Sequence, residues 1–85
     1  MPIISRFFGI IIYMFWRDHA PPHFHAKYGE EEVTVEIRSG TVNGSMSRRA
    51  IQMVQEWREL HIDELLRDWE RVEQRKALIA IKGLD

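Results

Sequence analysis

The chain has 85 residues, with 12 lysines and arginines, 13 aspartates and glutamates, and no cysteine. This length corresponds to one domain, near the lower limit for a core that is stable without help from a metal or a partner. The absence of cysteine excludes disulfides, thiolate nucleophiles and cysteine-based zinc sites. The near-neutral charge lacks the positive footprint of a duplex-DNA-binding protein, so we expect no duplex DNA binding by the chain alone.

An apolar run over residues 7–16 is too short to span a bilayer. It continues into Arg17, Asp18 and His19 without the small-residue cleavage site of a signal peptide. We therefore expect a cytoplasmic protein that does not interact with membranes.

The first half of the chain has the alternation and turn residues of an antiparallel β-meander. Residues 3–16, "IISRFFGIIIYMFW", predict one long first strand with Gly9 at a bulge or bend. Pro21 and Pro22 then require an extended connection, because proline fixes its own φ and restricts the residue before it. A second strand is expected from about His23 to Tyr28.

Gly29 and Glu30 look like the next turn, and the sequence "EVTVEI" over residues 32–37 alternates as a half-buried strand does. Ser39-Gly40 and Asn43-Gly44 are turn dipeptides on either side of a very short further segment. The pattern therefore predicts three to four antiparallel strands within residues 1–46.

The second half of the chain has a helical pattern. Ser47 is a suitable N-cap, and from Arg48 to about Gln74 one stripe of side chains recurs at helical spacing. A single helix of this length would be long for so small a domain, so we predict two helices or one kinked helix, with the break near Leu60 to Asp63. The stripe consists of Ala50, Val54, Trp57, His61, Leu65, Trp69 and Val72.

These elements predict one α+β domain, in which a β-meander is followed by two helices, or one long kinked helix, packed on one face of the sheet. The domain comprises the meander (1–46), the helical part (47–76) and a C-terminal tail (77–85), which adds a short edge strand or lies across the sheet. Both faces of the predicted first strand are apolar, and one helical layer covers only one of them. The candidate covers are the tail, a second copy of the chain or a different protein.

The segment Arg17–Gly29, "RDHAPPHFHAKYG", contains three of the four histidines. If a strand begins at His23, the period of two places His23, His25 and Lys27 on one face and Phe24 and Tyr28 on the core face. His23 and His25 would then lie about 6.6 Å apart along the strand. A hairpin would bring the side chains that precede the prolines to the same place, namely Arg17, Asp18 and His19.

Three hypotheses for this cluster remain open. The first is a metal site, in which His19, His23 and His25 bind zinc and Asp18 helps to complete a tetrahedral set.

The second hypothesis is a metal-independent ribonuclease. His23 and His25 would act as acid and base with support from His19, because histidine titrates near working pH. Arg17 and Lys27 would bind phosphate, and an exposed Trp16 would stack on a base of single-stranded RNA. Asp18 and Tyr28 are further candidate ligand-binding residues of the segment.

The third hypothesis is that the segment has no chemistry of its own. In that case the histidines satisfy backbone groups near the prolines or form a surface that docks a partner.

Three blocks of the chain, "ISRFFGI", "DHAPPHFHAKYG" and "EWRELHIDELLRDWE", resemble the small bacterial family catalogued as domain of unknown function 4160. The motif residues that carry over are Asp18, His19, Pro21, Pro22, His23, Phe24, His25, Tyr28 and Gly29.

No established catalytic assignment accompanies this resemblance. It implies a component of a two-protein toxin–antitoxin module, paired with a small protein that is encoded nearby. We accordingly expect a toxin-like protein that acts on RNA or translation. The alternatives are a non-enzymatic binding module, including the neutralising partner of such a pair, and a zinc-binding domain. A homo-oligomer is the other form of partnership that we expect.

Overall fold

The computed structural model of the chain describes residues 2–85. Five strands form one antiparallel sheet in chain order, and two helices follow. The helices and strands share one hydrophobic core, so the predicted α+β fold of a meander followed by two helices is confirmed. The elements are β1 (Ile3–Phe7), β2 (Ile10–Tyr13), β3 (His23–Tyr28), β4 (Glu31–Glu36), β5 (Val42–Gly44), α1 (Arg48–Leu60) and α2 (Ile62–Glu73).

The prediction of one long first strand was wrong, because residues 3–13 form a hairpin. Phe8 and Gly9 connect β1 to β2, and both have positive φ angles, of 48° and 82°. Two consecutive positive φ angles are typical of the tight turns whose twist matches that of paired strands, and glycine favours such turns. The sheet therefore has five strands instead of the expected three to four.

The same hairpin explains much of the two-sided apolar pattern. A two-residue turn restarts the alternation, so Phe7 and Ile10 both face the core, where they are 6% and 1% exposed. On the opposite face, Ile3 and Phe15 remain about two-fifths exposed, as does Trp16 just beyond them. A partner that covers this remaining surface stays a prediction.

Strand β3 has its predicted bounds, and β4 begins and ends one residue earlier than the predicted residues 32–37. Phe24 and Ala26 are fully buried in the core, as are the alternate residues of β4, because each points toward the helices. Tyr28 was expected to face the core as well, but its side chain is 38% exposed. It stands at the end of β3 beside Phe8 and the start of α1, where the core ends.

The helical stripe is confirmed as the buried face of both helices. Ser47 Oγ accepts the backbone N–H of Ala50 at 3.2 Å, which caps α1 as predicted. The break falls at His61, which ends α1 and begins α2. Its ring Nδ1 lies 2.6 Å from Glu64 Oε1 and its ring packs against Trp57, so His61 is a hinge residue between the helices.

The C-terminal tail lies along the outer edge of β1 without forming a regular strand. Ile81 is buried, and its N–H donates to Ile4 O at 2.8 Å. The indole N–H of Trp57 donates to Lys82 O, also at 2.8 Å. These contacts protect the edge of β1 from pairing with another chain.

A buried carboxylate also holds the tail to α2. Asp68 is fully buried, and its Oδ1 accepts the N–H of Ile79 at 2.9 Å, whereas its Oδ2 has no hydrogen-bond partner among the described residues. Burial raises the pKa of Asp68, and the hydrogen bond from Ile79 and the neighbouring Arg67 and Arg71 oppose that rise.

Neither of the two described helices has the length and apolar character that a membrane-spanning segment requires.

Candidate functional site

Three side chains converge at the start of β3, where the ring of His23 also packs against Trp69 of α2, with ring centroids 5.2 Å apart. Asp18 Oδ2 lies 2.8 Å from His25 Nε2 and 3.0 Å from His23 Nε2. One potential ligand atom from each of the three residues lies within 4.8 Å of the other two. The side chains are only 11% to 17% exposed, so little bulk water screens their interactions. This arrangement can hold one small cation among an oxygen and two nitrogens.

The two histidines converge because they are two residues apart on β3, with the buried Phe24 between them. The loop of residues 14–22 leads from β2 to β3 and brings Asp18 over the same face. The expected common side of His23 and His25 is therefore observed. The expected approach of Asp18 is observed as well.

The ring of His23 is fixed at both nitrogens. Its Nδ1 lies 2.9 Å from Pro21 O and its Nε2 lies 3.0 Å from Asp18 Oδ2. A carbonyl oxygen only accepts hydrogen bonds, so Nδ1 carries the proton and donates to Pro21 O. In the neutral ring, Nε2 then has a lone pair that faces a carboxylate oxygen. A nitrogen lone pair and a carboxylate oxygen repel each other at this distance. They stay close together when a proton on the nitrogen, or a metal ion between the two atoms, offsets that repulsion.

The ring of His25 is oriented by aromatic neighbours that the sequence did not reveal. Tyr13 stacks on it, with ring centroids 5.1 Å apart and an interplanar angle of 14°. Phe15 contacts the same ring edge-on at 4.7 Å. The Tyr13 hydroxyl donates to Glu32, and burial together with that carboxylate raises the pKa of Tyr13 to about 12. Tyr13 is 2% exposed, so it gives His25 a rigid wall.

The cluster lies in an open cleft of about 340 Å³. The lining adds three polar residues that the sequence analysis did not single out, Thr34, Glu36 and Asn43. Glu36 is the register partner of His23, and Thr34 is the partner of both His25 and Asn43, so all three belong to the same face. The complete lining is Asp18, His19, Pro21, His23, His25, Thr34, Glu36 and Asn43.

His19 lies at the rim of the cleft and outside the close group. Its ring centroid is 5.9 Å from that of His23, and its Nδ1 lies 3.2 Å from Ala20 O. The close group of three thus contains Asp18 and does not contain His19, which the zinc hypothesis had also placed among the ligands.

The other predicted ligand-binding residues do not line the cleft. Arg17, Lys27 and Tyr28 are not among the described residues that line the cleft. Lys27 lies farther along β3 and pairs in register with Glu32. Tyr28 lines a separate cleft together with Phe8 and Arg49. Trp16 is 42% exposed, and its indole N–H donates to Lys76 O at 3.2 Å.

These observations define a small α+β domain with a cluster of one carboxylate and two imidazoles in an open cleft on its sheet. The model of the family described as domain of unknown function (DUF4160) matches residues 9–70. The chain belongs to this family, as the three sequence blocks predicted. No curated protein and no solved structure gives a significant match.

Proposed function

We propose that this protein is a metal-binding domain that holds one divalent transition ion, of the zinc type, with Asp18, His23 and His25. The observation that carries the proposal is the convergence of Asp18 Oδ2 and the two Nε2 atoms, at 2.8 and 3.0 Å. An ion that took these three atoms as ligands would replace those direct contacts.

The ring of His23 supports the proposal, because its Nδ1 is already engaged by Pro21 O at 2.9 Å. Histidines that bind metals through Nε2 usually donate Nδ1–H to a carbonyl or carboxylate, which fixes the tautomer and the ring orientation. On the other ring, Tyr13 and Phe15 restrict the rotation of His25. The site is therefore preorganised before an ion arrives.

The donor set indicates which ions fit. Two imidazole nitrogens and one carboxylate oxygen suit zinc and its neighbours in the first transition row. Magnesium and calcium prefer sites made of oxygen ligands alone. We therefore expect Zn²⁺ to bind more tightly than Mg²⁺ or Ca²⁺ by several orders of magnitude.

The metal-independent ribonuclease has weaker support from the geometry. Both Nε2 atoms are directed at the same carboxylate oxygen, whereas an acid and a base need to face a substrate between them. Among the described residues, no lysine or arginine lines the cleft to bind phosphate. A role in a two-protein toxin–antitoxin module stays a prediction, and the exposed Phe15 and Trp16 support a partner surface.

The proposal is tested by calorimetric titration of the untagged, metal-free full chain with Zn²⁺. We expect one site per chain, and a thermal midpoint that rises with Zn²⁺ because only the folded state assembles the ligands. At a free Zn²⁺ concentration of 100 times Kd, the stabilisation is about 2.7 kcal/mol. The variants Asp18→Asn and His25→Ala should each lose most of the affinity.

Two controls separate this site from general histidine and carboxylate binding. Asp63→Asn changes an exposed aspartate in the first turn of α2, far from β3 in the chain, and should leave the affinity unchanged. His61→Gln removes the histidine that pairs with Glu64 and should also preserve binding. A wild-type chain that binds no Zn²⁺, or a site that survives both Asp18→Asn and His25→Ala, would refute the proposal.

A further inference from the structure

We infer that the metal site is a hydrolytic centre, in which Glu36 is the general base for a water molecule on the ion and a neutral acyl compound, an ester or amide, is the substrate. This inference rests on the proposed metal site. It concerns three features of the cleft: the number of ligands, the position of Glu36 and the charge of the lining.

The ligand count leaves the ion open to the cleft. Among residues 2–85, Asp18, His23 and His25 form the one group of three or more potential ligands that converge within 4.8 Å. Zinc in structural sites is closed by four protein ligands, whereas zinc in catalytic sites has three and keeps one position for water or substrate. The remaining position here would face the cleft of about 340 Å³.

The core is closed by protein side chains, and its largest members, such as Trp57 and Phe24, are fully buried. Of the three ligand residues, His23 contacts this core, through Trp69 of α2. We therefore expect the fold to form without an ion. A metal that is not required to complete the core is free to serve chemistry.

Glu36 is suitably placed to act on a water in the open position. It lines the same cleft as the three ligands and is paired with His23 across β3 and β4. One of its carboxylate oxygens, Oε1, accepts the hydroxyl of Ser39 at 3.3 Å. Thr41 stands behind Ser39, with the two hydroxyl oxygens 2.8 Å apart. The Ser39 hydrogen bond engages Oε1, so Oε2 is the oxygen that would take a proton.

The charge of the lining selects the substrate class. Its two acidic residues, Asp18 and Glu36, stand with no lysine or arginine among the described lining residues. The formal charges of two carboxylates and one divalent ion sum to zero, so a loaded cleft would not attract a phosphodiester. Thr34 and Asn43 offer neutral hydrogen-bond donors at the same place. Such donors suit the carbonyl oxygen of an ester or amide, on which negative charge develops during attack.

The reaction balances without a further reagent. A bound ion would supply a water molecule of lowered pKa, and Glu36 would accept one proton from that water. The oxygen of the water would then form a bond to the carbonyl carbon. The bond from this carbon to the alcohol oxygen or amine nitrogen then breaks, and the proton passes from Glu36 to the leaving group. The products are a carboxylic acid and an alcohol or amine.

The test measures hydrolysis of p-nitrophenyl acetate and of bis(p-nitrophenyl) phosphate by the Zn²⁺-loaded full chain, with free Zn²⁺ and metal-free protein as references. We expect metal-dependent turnover of the acetate and little of the phosphate. Glu36→Gln should lower kcat by about 100-fold or more, as removal of a general base does, while the Kd for Zn²⁺ changes less than threefold. Glu30→Gln, in the exposed turn before β4, is the matched control and should keep full activity.

Each outcome is decisive. A protein that binds Zn²⁺ but hydrolyses neither compound faster than free Zn²⁺ overturns the hydrolytic centre and leaves the metal site standing. A Glu36→Gln variant with full activity overturns the role of Glu36, and a preference for the phosphate overturns the substrate class. If the wild-type chain binds no Zn²⁺, the proposed function itself fails.

Discussion

Tyr13 lies flat against His25, with ring centroids 5.1 Å apart and an interplanar angle of 14°. The hydroxyl of Tyr13 is anchored by Glu32, so a carboxylate on β4 orients a histidine on β3 through an aromatic ring on β2. The stacked ring of Tyr13 restricts the orientations of the His25 ring that a bound ion would otherwise have to select, and Tyr13 is therefore a positioning residue.

The first prediction concerns Tyr13 at alkaline pH. Its pKa rises from 10.0 to about 12 in the folded protein. The stabilisation that the protonated hydroxyl contributes is therefore fully present below pH 10 and is lost as the pH rises through 12. Tyr13→Phe keeps the ring but has no hydroxyl to ionise, so its stability should not show this fall. At pH 7 the variant should be less stable by about 1.5 to 3 kcal/mol, because a hydrogen bond to a charged group is lost.

Urea unfolding at several pH values between 7 and 12 measures this difference. Tyr28→Phe, which changes the exposed tyrosine, is the control and should follow the wild type. Equal pH dependence of Tyr13→Phe and wild type above pH 10 would contradict the assignment.

The second prediction concerns the buried carboxylate of α2. Because the pKa of Asp68 is raised on folding, its contribution to stability is present below the unfolded value of 3.8 and is lost as the pH rises through the folded value. Asp68→Asn retains an oxygen that accepts the Ile79 N–H and avoids a buried charge. We expect the variant to be more stable than wild type at pH 7, by about 1 kcal/mol, and the difference to vanish near pH 4.

Thermal unfolding at pH 4 and pH 7 checks this outcome. Asp63→Asn is the matched exposed variant and should lack the pH-dependent gain. Stability of Asp68→Asn below wild type at pH 7 would show that the ionised carboxylate is a net contributor.

The third prediction concerns the turn before β5. Gly40 has a φ of +77°, and a Cβ there would lie 2.7 Å from Arg58 Nη2. Arg58 is buried and donates to Ile37 O at 2.8 Å, so its guanidinium cannot move without losing this bond. Gly40→Ala should therefore lower the free energy of unfolding by about 2 to 4 kcal/mol, from backbone strain and steric overlap together.

Gly29→Ala is the control for this third change. Gly29 also has a positive φ, +61°, but a Cβ there meets nothing within 4 Å. It should show the backbone cost alone, about 1 kcal/mol. Equal destabilisation of the two variants in chemical unfolding would argue against a steric role for Arg58.

The fourth prediction concerns removal of the ion. After dialysis against a chelator, the far-ultraviolet circular dichroism spectrum should be unchanged, because the core is closed by protein side chains alone. The thermal midpoint should fall relative to the Zn²⁺-loaded chain, since an ion bound only by the folded state adds stability. Asp18→Asn should show no such fall. Loss of the spectrum on chelation would instead indicate an ion that is required for folding.

Part of the site follows from the register of the strands, which the sequence predicts. The two-residue turn of Gly29 and Glu30 pairs Tyr28 with Glu31, so the antiparallel register then pairs His23 with Glu36. Glu36 and Thr34 could therefore have been found from the sequence, because each lies opposite a histidine of the motif. By contrast, the long loop of residues 14–22 does not determine the register of β2 against β3. The stack of Tyr13 on His25 could therefore not be predicted from the sequence.

The sequence by itself determined the strand alternation, the helical stripe, the break at His61 and the common side of His23 and His25. These features depend on residues within a few positions of one another, whose spacing sets which face each side chain takes. Only the tertiary structure decided that Asp18 closes the cluster, that Tyr13 orients it and that Asp68 is buried under the tail. Those contacts depend on the path of loops and of the C-terminal segment, and packing of distant residues selects that path.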